Sequence, residues 1–421
     1  MESGMNEELL LPSTGTLQIN ITSFLGERPI ANASIKLYPS PELTQPLYET
    51  QTDQNGQSPE ITLSTPNEEY SEEPSVNRPY AEYTLFISAF GFEDINIVGI
   101  KVFPNETSIQ NISLMPENEQ PKPSAEVFIL PENTLYGDFP EKIPEAEIKP
   151  VSETGEIVLS RVVVPEYIIV HDGPPSNNSA KNYYVKYKDY IKNVASSEIY
   201  ATWSEATIIA NVLAIQSFTL NRVYTEWYRN KGYDFNITSS TAYDQCWVYN
   251  QNIYQNISQI VDTLFDQYIA RPNVTQPLLT QYCDGKRVTC PNWLSQWGSK
   301  ALGDEGYSAS EILKYYYGDS VYIATADEIS GIPSSWPGSN LSVGSSGNKV
   351  AQLQRQLNVI AKNYPLIPKI SEDGIYGEKT ANAVKTFQKI FKLPQTGITD
   401  FATWYKISEI YVGVSRIAEL N

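Results

Sequence analysis

One histidine, His171, stands among 421 residues, with three cysteines and three methionines. A single imidazole cannot build a His-rich zinc site or a histidine relay. Three thiols are too few for a disulfide scaffold and leave one over in any pairing. Basic side chains are also scarce: 30 Lys and Arg against 49 Asp and Glu give a net charge of −19, which disfavours nucleic acid or an anionic membrane as partner of the whole chain. No apolar run approaches the ~18 residues of a membrane span. With 41% hydrophobic and 19% charged residues, the reading is a soluble, globular protein. Glu2, Glu7 and Glu8 stand where an export signal needs a basic start and a long apolar stretch, so a standard secretion signal is not expected. Chemistry must lean on carboxylates, hydroxyls, thiols or main-chain groups.

What is present is unevenly distributed. Residues 1–170 carry 27 acidic and 8 basic side chains, 171–340 carry 16 and 12, and 341–421 carry 6 and 10. The acidity belongs to the N-terminal portion, and the mildly basic C-terminus suits an anionic polymer. A chain of this length predicts two to four units. The expected class is multidomain α+β: an N-terminal antiparallel β-sandwich, a central α+β catalytic domain and a small C-terminal helical bundle. In residues 16–116 the apolar side chains alternate (Leu17, Ile19, Ile21; Ala33, Ile35, Leu37; Leu85, Ile87, Ala89), with turn signals at 53–56 and 89–93. Residues 1–15 read as a tail. The prolines between Pro116 and Pro150 make 117–170 a connector or pro-segment, and 326–340 reads as a second linker.

The central region, 171–325, holds 18 of the 29 tyrosines and 5 of the 7 tryptophans, for which core packing competes with stacking on sugar rings. Ser204 to about Tyr228 predicts a long buried helix capped by Ser204. His171, within HDGPP, reads as turn material, as do Asp234 and Asp244. Cys283 and Cys290, with six residues between them, are open to a disulfide, to metal binding with Cys246, or to remaining free thiols.

In 341–421, Val350, Leu353 and Leu357 and then Val384, Phe387 and Phe391 recur at helical spacing after glycine-containing loops. Together with Gly344, Gly347, Gln354, Asp373, Gly374, Gly377, Thr380, Ala383, Gln388, Gly397 and Trp404, these residues resemble the peptidoglycan-binding domain of bacterial cell-wall hydrolases. The resemblance implies a wall anchor without catalysis of its own. Tyr376, Gln388 and Trp404 are candidate lining residues of its groove.

Further resemblances place the other units. The stretches PIANASIKLY (29–38), TDQNG (52–56) and YTLFISAFGF (83–92) resemble the carboxypeptidase regulatory-like sandwich, usually non-catalytic. Residues 198–214, with Glu198, Trp203, Glu205, Ala206, Ala210 and Ala214, resemble the catalytic opening of the stage II sporulation protein D family, followed in that family's order by DQCWVY (244–249) and SQWG (295–298). Tyr200, Ser204, Asn211 and Gln216 depart from its pattern, and the Gly-His-Gly that precedes SQ there is missing. Over nearly its full length, including NTLYGDFPEKIP (133–144), YIKNVASSEIY (190–200) and TSSTAYD (238–244), the chain resembles the clostridial spore cortex-lytic enzymes.

That resemblance implies a germination enzyme made during sporulation as an inactive precursor, trimmed by a subtilisin-like protease, acting on spore cortex peptidoglycan as a lytic transglycosylase, without a cofactor. The expected location is the spore cortex and coat region. Such cleavage needs one carboxyl to protonate the leaving oxygen and then to deprotonate the attacking 6-hydroxyl. Glu198, expected on a loop facing a cleft, is assigned that role, with Trp203, Tyr243, Gln296 and Trp297 as substrate contacts. Glu205 suits the helix N-terminus as a first-turn acid. The alternatives are a muramidase with a second acid such as Asp244 activating water, or a non-catalytic wall-binding protein. The expected first cut falls in 117–130, and the 16–116 sandwich is expected to be a pro-domain that occludes the central cleft.

Overall fold

A computed structural model describes residues 13–24, 28–41, 43–117, 125–133, 135–149, 159–331 and 336–418. The expected tail lies almost wholly outside these residues.

The N-terminal unit is built from strands β1 (Ser13–Ser23), β2 (Ser34–Pro39), β3 (Tyr48–Gln51), β4 (Ile61–Thr65), β5 (Ala81–Ser88), β6 (Ile95–Val102), β7 (Thr107–Leu114) and β8 (Glu126–Ile129). One sheet runs β3-β2-β5-β6-β8; the other contains β7-β1-β4. Pairing is antiparallel except between β1 and β7 and between β6 and β8. The alternating residues supply a shared core: Leu17, Ile19 and Ile21 meet Ile35, Leu37, Leu85, Ile87 and Ile97, all buried. The turn at 53–56 forms because Asp53 Oδ1 accepts from the N–H groups of Asn55 and Gln57, 2.8 and 3.0 Å away. Gly56 there has φ +71°, and an added Cβ would lie 2.3 Å from the Ile21 carbonyl oxygen.

The central unit follows with β9 (Val163–Val164), β10 (Tyr167–His171), β11 (Asn182–Lys186), α1 (Tyr187–Glu198), α2 (Glu205–Tyr224), β12 (Ile237–Thr238), β13 (Ile253–Tyr254), α3 (Gln255–Leu264), β14 (Gln267–Ala270), β15 (Tyr282–Cys283), β16 (Leu294–Ser295), α4 (Gln296–Asp304), α5 (Ala309–Tyr317), β17 (Tyr322–Thr325) and β18 (Glu328–Ile329). Ser204 caps α2 as expected, its side chain accepting from Thr207 N–H. That helix is buried on nearly every side and forms the axis of the unit, with α1, α3, α4 and α5 around it.

Three details revise the boundaries. Strand β8 falls inside the expected connector yet extends the N-terminal sheet. Strands β9 and β18 pair with each other, so part of the connector and part of the second linker are the two edges of the central unit. Strand β13 adds to the N-terminal sheet beside β7, and Asn252 exchanges hydrogen bonds of 3.1 and 3.0 Å with the Lys101 backbone. Phe103 of the N-terminal unit sits in the central core against Tyr200 and Tyr254, with Tyr80 packed on it. The two units therefore share core and sheet rather than touching as beads on a string.

The C-terminal module consists of α6 (Asn348–Ile360), α7 (Glu378–Ile390) and α8 (Phe401–Ala418), the last a third helix beyond the two expected from periodicity. It is fastened to the rest through Lys392 with Glu60, Gln57 with the Ile390 carbonyl, and a buried ionic cluster in which Lys188 bridges Asp262 and Glu409. No helix of the described residues is long and apolar enough to cross a membrane.

Candidate active site

Glu198 is not on a loop: it is the last residue of α1, and the chain leaves the helix at Ile199, which adopts extended angles of −134° and 161°. Packing of Ile191, Val194 and Ala195, all fully buried, carries the helix up to Glu198. The carboxylate faces a cleft of about 630 Å³, open to solvent, also lined by Thr241, Cys246, Tyr282, Cys283, Asp284, Val288 and Gln296. Cys246 donates its backbone N–H to Glu198 Oε1 at 2.7 Å, and the Tyr282 hydroxyl donates to Oε2. The Gln296 amide donates to the Glu198 carbonyl at 3.1 Å.

Burial raises the Glu198 pKa above the ordinary carboxylate value, opposed by the Lys142 charge and by the Cys246 and Tyr282 hydrogen bonds. Burial thus works toward the protonated form, the direction that general-acid chemistry needs. The Cys246 thiol is pushed up to about 12, first by burial and then by Glu198, so it stays protonated. Cys283 and Cys290 are joined as a disulfide at the cleft rim. That pairing withdraws two thiols from any metal site with Cys246, and among the described residues no group of three or more His, Cys, Asp or Glu is placed to hold a metal.

The other expected site residues divide. Gln296 lines the cleft. Trp203 and Trp297 do not present open faces: both are 4% exposed, with ring centroids 5.1 Å apart, and Tyr200 closes the group. Their indole N–H groups are used by the Ser71 and Leu135 carbonyls, at 3.1 and 2.8 Å. They form a wall behind α1 rather than a stacking platform. Tyr243 is half-buried outside the cleft lining, and its carbonyl accepts from Arg222. Glu205 is exposed in the first turn of α2, as expected.

Asp244 is not a turn residue of convenience but a buried anchor: Arg222 Nε reaches Oδ1 at 2.7 Å, while the Tyr228 hydroxyl and both donors of Thr238 converge on Oδ2 within 2.9 Å. His171 likewise ends β10 in a buried position, its Nδ1 2.8 Å from Asn182 Oδ1 and its ring stacked on Phe235. In the C-terminal module Tyr376, Gln388 and Trp404 are fully buried, contrary to a groove-lining role. Gln388 instead ties the 396–398 loop, accepting from Gly397 N–H at 2.8 Å and donating to the Ile398 carbonyl. Tyr376 donates to the Gly397 carbonyl at 2.9 Å. Their spacing encodes scaffold, which periodicity alone cannot distinguish from a lined groove.

Sequence reasoning missed what crosses the cleft. Leu135, Phe139, Pro140 and Lys142, from the supposed connector, line it alongside Glu198. From Ile143 to Lys149 this strap is hydrogen-bonded to the central unit: Ile143 N–H to the Ala242 carbonyl at 2.8 Å, the Gln281 amide to the Ile143 carbonyl at 2.7 Å, Leu279 N–H to the Glu147 carbonyl at 2.9 Å, and Lys149 N–H to Gln276 at 2.8 Å. Glu145 receives both terminal nitrogens of the buried Arg222. Lys142 places its ammonium 4.6 Å from the Tyr282 ring centroid and donates to the Asp244 carbonyl. Desolvation lowers its pKa, opposed by Glu198 and Asp244.

Residues 346–407 match the model of a putative peptidoglycan binding domain. No curated protein matches the chain. Among solved structures, the minor pilin GBS52 of Streptococcus agalactiae is 16% identical, with 27% of this chain and 50% of that one covered and a TM-score of 0.19. Catechol 1,2-dioxygenase from Pseudomonas arvilla C-1 is 16% identical, covering 29% and 57%, also at 0.19. The 5-hydroxyisourate hydrolase of Klebsiella pneumoniae is 14% identical, covering 25% and 92%, at 0.16. The chain spans about half the length of the first of these, and at such scores they bear on neither fold nor function. The C-terminal match supports a cell-wall-associated protein that interacts with peptidoglycan.

Proposed function

We infer that the chain is a peptidoglycan lytic transglycosylase of the clostridial spore cortex-lytic type, with Glu198 as its acid and base. The observation that carries this reading is the Glu198 carboxyl at the cleft, buried, raised in pKa and held by two donors. As an acid it gives its proton to the glycosidic oxygen while the bond from the muramyl anomeric carbon breaks. As a carboxylate it takes the proton of the C6 hydroxyl, whose oxygen closes on that carbon to leave a 1,6-anhydro end. No water is consumed and no second carboxylate is needed. The saturated coordination of Asp244 argues against the muramidase alternative, since none of its four contacts leaves it free to activate water.

The reading includes a precursor state on spore cortex, relieved by a subtilisin-like protease. What blocks the cleft in it is the strap of residues 135–149, not the sandwich: Lys142 favours the charged form of Glu198, and Phe139 and Pro140 take up substrate space. Of the expected cutting region, 118–124 lie outside the described residues and 126–129 are sheet. A cut there alone leaves the strap covalently attached to the central unit, so full activation also requires a cut beyond Lys149. The test is cortex digestion by intact and trimmed protein, with products read by mass spectrometry. Anhydro-muropeptides from the trimmed form only are expected. Reducing ends would indicate a muramidase, and no release by either form would favour a non-catalytic wall binder.

A further inference from the structure

The expected wall-binding residues of the C-terminal module are buried, yet a different surface of that module has the makings of a site. Asn348, Ala351, Gln352, Arg355 and Gln356 follow one another along α6 at alternating spacings of three and one, forming a single ridge. With Tyr411 of α8 they line an open groove of about 770 Å³. Gln356 is 3% exposed, and its side-chain carbonyl oxygen has no hydrogen-bond partner among the described residues. A buried acceptor left unmade is costly, and the residue that carries this one is part of the groove lining. Arg355 is exposed at the same ridge, and its ion pair to Glu372 is a loose 3.6 Å contact between exposed groups. Ties to the rest of the chain run through Ile390, Lys392, Phe401, Tyr405 and Glu409, none of which lines this groove.

We propose that the α6–α8 groove is where the module grips peptidoglycan, and that it takes the acidic stem peptide rather than the sugar chain. This rests on the peptidoglycan-binding reading of 346–407. A guanidinium forks a carboxylate, and the Gln356 carbonyl accepts an amide N–H. A ligand bearing both groups side by side is a peptide with a free acid. A bare chain of N-acetylglucosamine offers the N–H without the carboxylate. The basic balance of 341–421, with 10 basic and 6 acidic side chains, favours the same partner.

The test is co-sedimentation of the full chain with purified sacculi, for the parent, Arg355→Ala, Gln356→Leu and, as a charge control on exposed α7 surface, Lys379→Ala. The groove variants should bind at least about tenfold more weakly, the scale of a lost charge-assisted or buried hydrogen bond, with the control unchanged. A soluble disaccharide-peptide released from sacculi should compete with binding, and chitotetraose should not. Parent-like binding by a folded Arg355→Ala, checked by circular dichroism, together with parent-like Gln356→Leu, would overturn the groove while leaving the wall-binding reading standing. Competition by chitotetraose alone would overturn the peptide as ligand. A parent chain that fails to sediment at all would remove the wall-binding reading, and the groove with it.

Discussion

Glu198 and Asp244 are both buried carboxylates of the central unit, and they have opposite surroundings. Asp244, 0% exposed, is met by a guanidinium, a phenol, a hydroxyl and a backbone N–H, a set that accounts for the usual capacity of a carboxylate. Glu198, 7% exposed, has two donors on its oxygens, a cleft beside it and a cation that belongs to the strap. The first ties distant segments together through four hydrogen bonds; the second opens onto the cleft with fewer partners. Burial of an acid is therefore no mark of chemistry by itself. What distinguishes the two is whether the lone pairs are used up and whether the group opens onto space that a substrate can fill.

The largest effect that can break this contrast is catalytic. Glu198→Gln preserves shape but can neither give nor take a proton, so anhydro-muropeptide release by the trimmed protein should fall by ~10²–10⁴-fold with circular dichroism unchanged. Near parental release by the folded variant would remove Glu198 from the mechanism. Asp244→Ala should act on stability instead. Leaving the buried Arg222 Nε and the Tyr228 and Thr238 donors without their acceptor is expected to cost about 3–5 kcal/mol in urea unfolding, whereas Glu198→Gln should stay within about 1 kcal/mol of the parent. Similar losses for both would erase the distinction.

A pH experiment sharpens the role of the strap. Desolvation raises the pKa of Glu145, but the Arg222 and Lys149 hydrogen bonds and charges overcome it and bring the carboxyl down to about 2. A depressed acid stabilises the fold above its unfolded value and loses that contribution as pH falls through the folded one. The window is therefore from about 4.5 down to about 2, and the shift corresponds to roughly 3 kcal/mol. The stability difference between the parent and Glu145→Gln, measured by urea unfolding at a series of pH values, should be full at pH 7 and shrink across that window. A difference independent of pH would mean that the strap is held by its main-chain bonds alone. The smallest expected effect is that of Glu205→Gln, about 0.3–1 kcal/mol of stability with activity retained, since the exposed carboxylate complements only the N-terminus of α2.

Much of the local structure was legible because it depends on near neighbours. The alternation in β1, β2 and β5, the turn made by Asp53, and Ser204 capping α2 each rest on residues a few positions apart. Glu198 was legible as a catalytic candidate through its motif, but its seat was not. The motif places it before α2, and only the packing of Ile191, Val194 and Ala195 carries α1 up to it. Tyr282 lies 84 positions from Glu198, and Lys142 reaches the cleft from the far side of an undescribed stretch, so neither contact leaves a periodic trace. Proline density made 131–149 read as a connector because proline forbids helix and central strand. An extended segment can nonetheless bind another surface edge by edge, as this one does.

The amino-acid sequence by itself determined the β-rich N-terminal portion, the long capped helix, the C-terminal helices after their glycine loops and the short supply of metal ligands. These follow from side-chain periodicity, turn chemistry and counting, all local or additive. The tertiary structure alone decided that Trp203 and Trp297 are wall, that Tyr376, Gln388 and Trp404 are scaffold, that Asp244 is saturated, and that the strap lies across Glu198. Each of those outcomes depends on which distant groups share a buried volume, and desolvation and hydrogen-bond satisfaction act on that neighbourhood rather than on position along the chain.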